Sequence, residues 1–387
     1  MKIIKTPHIP VYSWADNVEP GAMAQAMDLA KLPFLISHVA LMPDCHEGYG
    51  MPIGGVIAAK GYIIPNAVGV DIGCGMCAVR TGLKDIGRDE LKLIMSRIRG
   101  RIPLGFNHHK EKKDIFLMPD PSKLSSGMVC DEQFEAARSQ IGTLGGGNHF
   151  IEVQKGSDGH IWIMIHSGSR NLGKRVADHY NRIAKEKCSD GIAKQSVPKD
   201  LAYLRTGSKE AVSYLAEMNY CVSFAFANRK EMMKEICASF RDTLGDVEFG
   251  EMINIAHNYA AAETHFGKKV FVHRKGATSA RKGETGIIPG SQGSKSYIVK
   301  GLGKAESFTS CSHGAGRKMG RNEAKRSLDL RSEIQKLDEL GIIHAIRNKS
   351  DLEEAAGAYK DIGEVMKAQK DLVKITVELS PLAVIKG

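Results

Sequence analysis

The sequence predicts an α+β fold, strands and helices interleaved in one domain spanning residues 1–387. Three observations carry that expectation. Short apolar runs bounded by glycine- and proline-bearing turns recur along the chain, the pattern of buried strands. Residues 208–244 keep apolar side chains mostly at three- or four-residue steps, a length and period that fit a long helix or a helix pair. Residues with reactive side chains are scattered from Asp71 almost to the C-terminus. If they share one site, the chain cannot be divided into independent segments, although its length alone would favour two or three domains.

The elements follow in order. Residues 20–32 alternate small, apolar and polar side chains in helical style and open on Pro20-Gly21. Residues 42–80 combine turns (Pro43-Asp44, Gly48-Tyr49-Gly50, Gly54-Gly55) with apolar runs at 56–59 and 62–64, which reads as buried strands joined by tight loops. Residues 89–101 read as a helix with Arg97, Arg99 and Arg101 at its end, and 107–113 as a polar, basic, exposed loop. The run IWIMIH at 161–166 ends in Ser-Gly-Ser-Arg, as expected of a buried strand that delivers His166 into a loop. The methionines of 208–244 suit packing. Residues 270–272 read as a strand and 323–340 as one charged surface helix.

Composition narrows the classes of partner. Lys and Arg exceed Asp and Glu by 54 to 44, a net charge of +10, which favours an anionic partner such as nucleic acid, a nucleotide or an acidic membrane. Eight irregularly spaced cysteines in a long chain do not form a disulfide framework and fit a reducing compartment. The stretch MKIIKTPHIPVYSW lacks the apolar core of a signal peptide, and no apolar run approaches the roughly 18 residues of a membrane span. A soluble cytoplasmic protein is expected.

Five short motifs and one histidine hold the chemistry. In VDIGCGMC, Asp71 and Cys74 offer a carboxylate and a thiolate three residues apart, a pair that can bind one divalent metal or simply shape a turn. The Cys74/Cys77 pair has no second close pair to complete a zinc site. In LGGGNHFIE, three glycines expose backbone N–H groups that suit a phosphate, and Asn148, His149 and Glu152 add donor, ligand and acceptor. His166-Ser167-Gly168-Ser169-Arg170 joins a ligand to a guanidinium fork for phosphate oxygens. His257-Asn258 is a fourth candidate. Pro289 to Ser296 ends in Lys-Ser but has Ser294 where a Walker A loop demands glycine, so it is a nucleotide-contacting turn at most. In SCSHGAGR, His313 is a metal ligand, a proton carrier, a nucleophile or a loop residue. Mixed Asp, Cys and His donors suit a borderline transition metal and admit manganese.

Ten segments, in order along nearly the whole chain, settle on one resemblance: MPDCHEGYGMPIGGV, VGVDIGCGM, TLGGGNHFIE, IHSGSRNLG, HNYA, RKGATSAR, GIIPGSQGSKSYIVKGLG, SCSHGAGR, AYKDI and VIKG. The chain resembles the RtcB family of RNA ligases. That resemblance implies a single domain of packed mixed β-sheets surrounded by helices, with a cleft built from loops along the whole chain. It implies joining of an RNA 3′-phosphate or 2′,3′-cyclic phosphate to a 5′-hydroxyl, with GTP and two manganese ions (Mn2+), through a histidine–GMP intermediate and then an RNA-3′-pp-5′-G intermediate. His313 aligns with the nucleophile. Asp71, Cys74, His149, His166 and His257 align with the metal ligands. Asn148, His149, Phe150, Ile151, Glu152, His257, Asn258, Pro289, Gly290, Ser291, Gln292, Ser296, His313, Gly314, Ala315, Gly316, Tyr359 and Lys386 fall where the family holds the guanine nucleotide, which requires the C-terminus to fold back into the site. Arg170, Arg317 and Arg321 are candidates for RNA or phosphate contacts. Relatives act in transfer-RNA splicing or RNA repair, and many use the small activator archease.

Overall fold

The structure, a computed structural model, describes residues 1–189 and 198–387. Two large sheets form its frame. The six-stranded sheet runs, edge to edge, Lys2–Ile4, Val11–Ser13, Val39–Tyr49, Met51–Ala59, Lys268–Lys275, Asn258–His265, with one parallel pairing between Val11–Ser13 and Val39–Tyr49. The seven-stranded sheet runs Ile253–Ala256, Gly75–Arg80, Ile161–Ser167, Phe150–Gly156, Val373–Lys386, Ser296–Gly301, Thr285–Ile288, and all its neighbours are antiparallel. This is the expected α+β architecture. A single residue, His257, separates Ile253–Ala256, an edge strand of the seven-stranded sheet, from Asn258–His265, an edge strand of the six-stranded one. It therefore sits on the seam between them.

The long apolar period at 208–244 forms one helix, Lys209–Leu244, rather than a pair. Ser208 caps it, accepting the Ala211 N–H, and its buried face places Tyr214, Phe224, Met232, Ile236 and Phe240 against the rest of the core. Capping and burial reinforce each other here. Truncating Phe240, fully buried, would cost about 3–5 kcal/mol.

Three local expectations need correction. Gly54-Gly55 is not a turn but lies inside the strand Met51–Ala59, with Gly55 paired to Leu41 and Lys275. Residues 323–340 are not one helix: Arg321–Ser327 and Leu330–Glu339 are separated at Leu328-Asp329, because the Asp329 carboxylate accepts the Ser332 N–H and starts a new helix. Pro43-Asp44 is not a turn either. It lies inside the strand Val39–Tyr49, whose pairing with Met51–Ala59 shifts register between Leu41 and His46. Such a bulge re-aims side chains, and here it turns Asp44 toward the seam. Among the described residues no helix is long and apolar enough to cross a membrane.

Candidate active site

Register aligns the site at one end of the seven-stranded sheet. Gly75 pairs with Ser167 and Ala256, His166 with Met76 and Phe150, and Phe150 with Lys386. The last strand thus returns the C-terminus beside the TLGGGNHFIE turn. His166 is delivered from within its strand, Ile161–Ser167, one residue short of the loop expected to hold it.

These residues converge. Cys74 Sγ lies 3.3 Å from His166 Nε2 and 3.5 Å from His149 Nε2. His149 Nε2 is 3.1 Å from Asp71 Oδ2, and His166 Nε2 is 3.4 Å from His257 Nε2. Two donor groups result, Asp71/Cys74/His149 and Cys74/His166/His257, with the cysteine common to both. Space is made for them. A Cβ at Gly168 would stand 2.3 Å from Asp71 Oδ1, so only glycine lets that carboxylate in. Arg229, fully buried on the long helix, donates to the carbonyls of Gly73 and Ser167 and braces the turns that carry Cys74 and His166.

The donor set fits a divalent metal. His149 Nδ1 is 2.9 Å from the Leu144 carbonyl and His166 Nδ1 is 3.0 Å from the Asn148 carbonyl. Carbonyls only accept, so both Nδ1 atoms carry the proton and both Nε2 lone pairs point into the cluster. Burial holds His166 and His257 neutral, far below the usual imidazole range. Burial, with the Asp71 charge beside it, pushes the Cys74 thiol well up. A cation in the cluster is what would ionise that thiol.

His313 stands at the edge of this cluster, its ring centroid 4.8 Å from that of His257. Its Nδ1 is 2.6 Å from Asp44 Oδ2, and the same oxygen accepts the N–H groups of His313 and Gly314 at 3.1 and 3.3 Å. Burial raises the Asp44 carboxyl, yet the charge and hydrogen bond of His313 hold it below its usual range. An ionised Asp44 can only accept, so in the neutral imidazole the His313 proton sits on Nδ1 and the lone pair on Nε2. Gly276, at φ +59°, keeps clear the space against the ring, since a Cβ there would lie 3.1 Å from His313 Cε1.

A cleft of about 900 Å³ opens over these groups. Its walls include Asp71, Cys74, Asn148, Phe150, Glu152, His166, His257, Asn258, Pro289, Gly290, Ser291, Gln292, His313, Gly314, Ala315, Gly316, Arg317, Arg321, Tyr359 and Lys386. Four expected residues stand behind the walls. His149 faces the donor cluster, Ser296 accepts the Gly290 N–H, Ile151 packs in the core, and Arg170 donates to Thr143 Oγ1 and the Gly105 carbonyl. Asn258 ties the cleft together, donating to the Asp71 carbonyl and accepting the Gly276 N–H. Burial raises Glu152 to about 8, although Lys386 and Gln154 draw it down.

Three residues escaped the sequence reading. Asp44 was hidden in an assumed turn, Arg229 in a helical period, and Glu354 in a charged stretch. Glu354 accepts from Arg317 Nη1 (3.1 Å), Arg321 Nε (2.9 Å) and the Tyr359 hydroxyl, so it organises the cleft wall opposite the metal-type donors. Asp44 lies inside the quoted segment MPDCHEGYG, which was the available signal for the first; the other two had none.

Fold and site define a protein with a paired metal-type donor cluster and an Asp-bound histidine at the floor of a broad cleft in a two-sheet α+β frame. Residues 25–123 and 120–387 match the family model described as tRNA-splicing ligase RtcB. The chain is 38% identical over 410 residues to the RNA-splicing ligase RtcB1 of Escherichia coli strain ATCC 25922, covering 100% of this chain and 99% of that protein. Identity is also 38% over 411 residues to the RNA-splicing ligase RtcB of strain K12, at 100% and 99% coverage. With the tRNA-splicing ligase RtcB of Nanoarchaeum equitans it is 34% over 444 residues, at 95% and 92%. The chain belongs to the RtcB family.

Proposed function

We propose that this protein is an RNA ligase that joins 3′-phosphate or 2′,3′-cyclic phosphate ends to 5′-hydroxyl ends, with GTP as the activating substrate and manganese as the metal. The observation that carries the reading is the contact between Asp44 Oδ2 and His313 Nδ1. It favours the tautomer whose lone pair is on Nε2, the nitrogen that this reading takes as the nucleophile. In the first step the Nε2 lone pair forms a bond to the α-phosphorus of GTP, the bond to the β-phosphate oxygen breaks, and pyrophosphate leaves. As positive charge develops on the ring, the buried Asp44 carboxylate stabilises it through the Nδ1 proton. The small neighbours Ser312, Gly314 and Ala315 leave room for a GMP group on the imidazole.

GMP is then transferred from His313 to the RNA 3′-phosphate, and the incoming 5′-hydroxyl displaces it as the phosphodiester forms. Asp71, Cys74, His149, His166 and His257 would hold manganese, which when bound neutralises phosphate charge and orients attack. Asn148, Phe150, Glu152, Gln292, Tyr359 and Lys386 would grip the guanine nucleotide. Of the arginine candidates, Arg321 also donates its Nε to Glu354 but is half exposed, which leaves it best placed to meet an RNA phosphate. Arg170 and Arg317 donate to protein acceptors and would shape the walls instead.

The test is an end-joining assay with two synthetic oligoribonucleotides, one ending in a 3′-phosphate and one beginning with a 5′-hydroxyl. Joined product that requires both GTP and manganese supports the ligase. Opening of a cyclic phosphate without GTP and without joining would mark a manganese-dependent phosphodiesterase, and RNA binding with no change in either strand would mark a non-ligating binding protein.

A further inference from the structure

The ligase reading leaves one exposed basic segment without a role. It begins at Phe106, whose side chain is 99% exposed, and continues Asn107-His108-His109-Lys110-Glu111-Lys112-Lys113. With no burial to stabilise it, the Phe106 ring is open to a partner on both faces. The segment does not dangle. Gly105 N–H donates to the Gly145 carbonyl at 3.0 Å and Leu144 N–H to the Pro103 carbonyl at 3.0 Å. Further along, His109 N–H donates to the Ser139 carbonyl and Lys113 N–H to the Arg138 carbonyl, both at 3.0 Å. Phe106 is therefore presented on an anchored loop.

Its anchor belongs to the cleft. The TLGGGNHFIE turn carries His149, and a Cβ on Gly146 of that turn would lie 3.7 Å from Gly105 Cα. Arg170, which donates to the Gly105 carbonyl, is also held near the Asp71 carboxylate. The loop that carries Phe106 is thus tied to the turn on the Asp71/Cys74/His149 side of the donor cluster, whereas His313 lies against His257 on the other. Ion pairs and the neighbouring Glu111 offset most of the loop's positive charge. Lys112 and Lys113 pair with Glu135 and Glu231, but among the described residues Lys110 and His108 have no acidic partner.

We propose that Phe106 is a stacking platform for an unpaired base of the RNA strand entering the cleft, with Lys110 meeting the backbone phosphate beside it. This rests on the ligase reading and adds a substrate subsite to it. Stacking on an aromatic face is tolerant of sequence, because every base has a π-face. The subsite therefore selects for a single-stranded end and not for a particular base.

The experiment measures binding of two ten-nucleotide single-stranded RNAs, one with a 3′-phosphate and one with a 5′-hydroxyl end, to the full chain at several salt concentrations. Phe106→Ala should weaken one of the two strands by about 5- to 150-fold, and the affected strand identifies which end crosses the loop. Phe106→Trp should bind as tightly as wild type and its indole emission should fall on binding, against the buried background of Trp14 and Trp162. Lys110→Ala should lower the salt slope for the same strand by about 0.7. Binding of both strands by Phe106→Ala within twofold of a wild type that ligates overturns this inference alone. So does a change in sedimentation without a change in RNA affinity, which would make the loop a contact between copies of the chain. A wild type that binds neither strand overturns the inference and the ligase reading together.

Discussion

Asp44 and His313 are 269 residues apart in sequence, and their side chains meet at 2.6 Å with Asp44 fully buried. One carboxylate oxygen holds the imidazole Nδ1 and the backbone N–H groups on both sides of the ring's attachment. The contact fixes where the histidine points and, in the neutral ring, which nitrogen keeps the lone pair.

Asp44→Asn keeps the shape but removes the negative charge and permits the wrong tautomer. The rate of GMP attachment should fall by about 10²- to 10⁴-fold, with little change in the KM for GTP. Single-turnover labelling over a range of GTP concentrations separates the two. An equal loss in KM would place Asp44 in nucleotide binding instead.

Cys74 and Cys77 lie on opposite sides of one short segment. Cys74 touches two imidazoles, while Cys77 packs with Ile151, Ile163 and Ile236 in the core. Cys74→Ala should remove most bound manganese, measured by elemental analysis after gel filtration; Cys77→Ala should leave the metal content near wild type and lower the melting temperature. Equal metal loss in both would contradict the donor assignment.

Arg229 has no route to solvent, and its donors satisfy Gly73, Ser167 and Asn254. Arg229→Leu leaves those acceptors unpaired and should destabilise the fold by about 2–4 kcal/mol, read by urea unfolding. Metal affinity should fall with it, because the two carbonyls flank Cys74 and His166.

Glu263 gives a stability signature in acid. Burial raises its carboxyl, but the hydrogen bonds from His265 and Arg274 and the charges of Arg274 and Arg281 outweigh that and bring it to about 2. Its side chain is only 6% exposed. A folded value below the ordinary 4.5 means the contribution is full above about pH 4.5 and is lost as pH falls through about 2. The amount is roughly 3 kcal/mol. The stability gap between wild type and Glu263→Gln, followed by denaturant titration, should narrow across that window; a constant gap would mean the ion pair does not set it.

The legible part of this protein was what short segments encode. Glycine-rich turns with a neighbouring histidine, as at 145–149 and 165–168, declare themselves locally, and so did the capped period of 208–244. Their convergence did not, because the seam between two sheets is a product of strand order. Asp44 was misread because a Pro-Asp pair ordinarily marks a turn, and only the register shift against Met51–Ala59 makes it a strand residue facing His313. The break at Asp329 was missed because charged residues on both sides continue the helical pattern. Glu354 is defined by Arg317, Arg321 and Tyr359, and no local pattern links those positions.

The most direct measurement is incubation of the chain with manganese and GTP labelled at the α-phosphate, followed by denaturing electrophoresis, with His313→Ala alongside. An acid-labile label is expected on the wild type and none on the variant. A wild type that takes no label with manganese, or a His313→Ala chain that takes as much, would contradict His313 as the nucleophile.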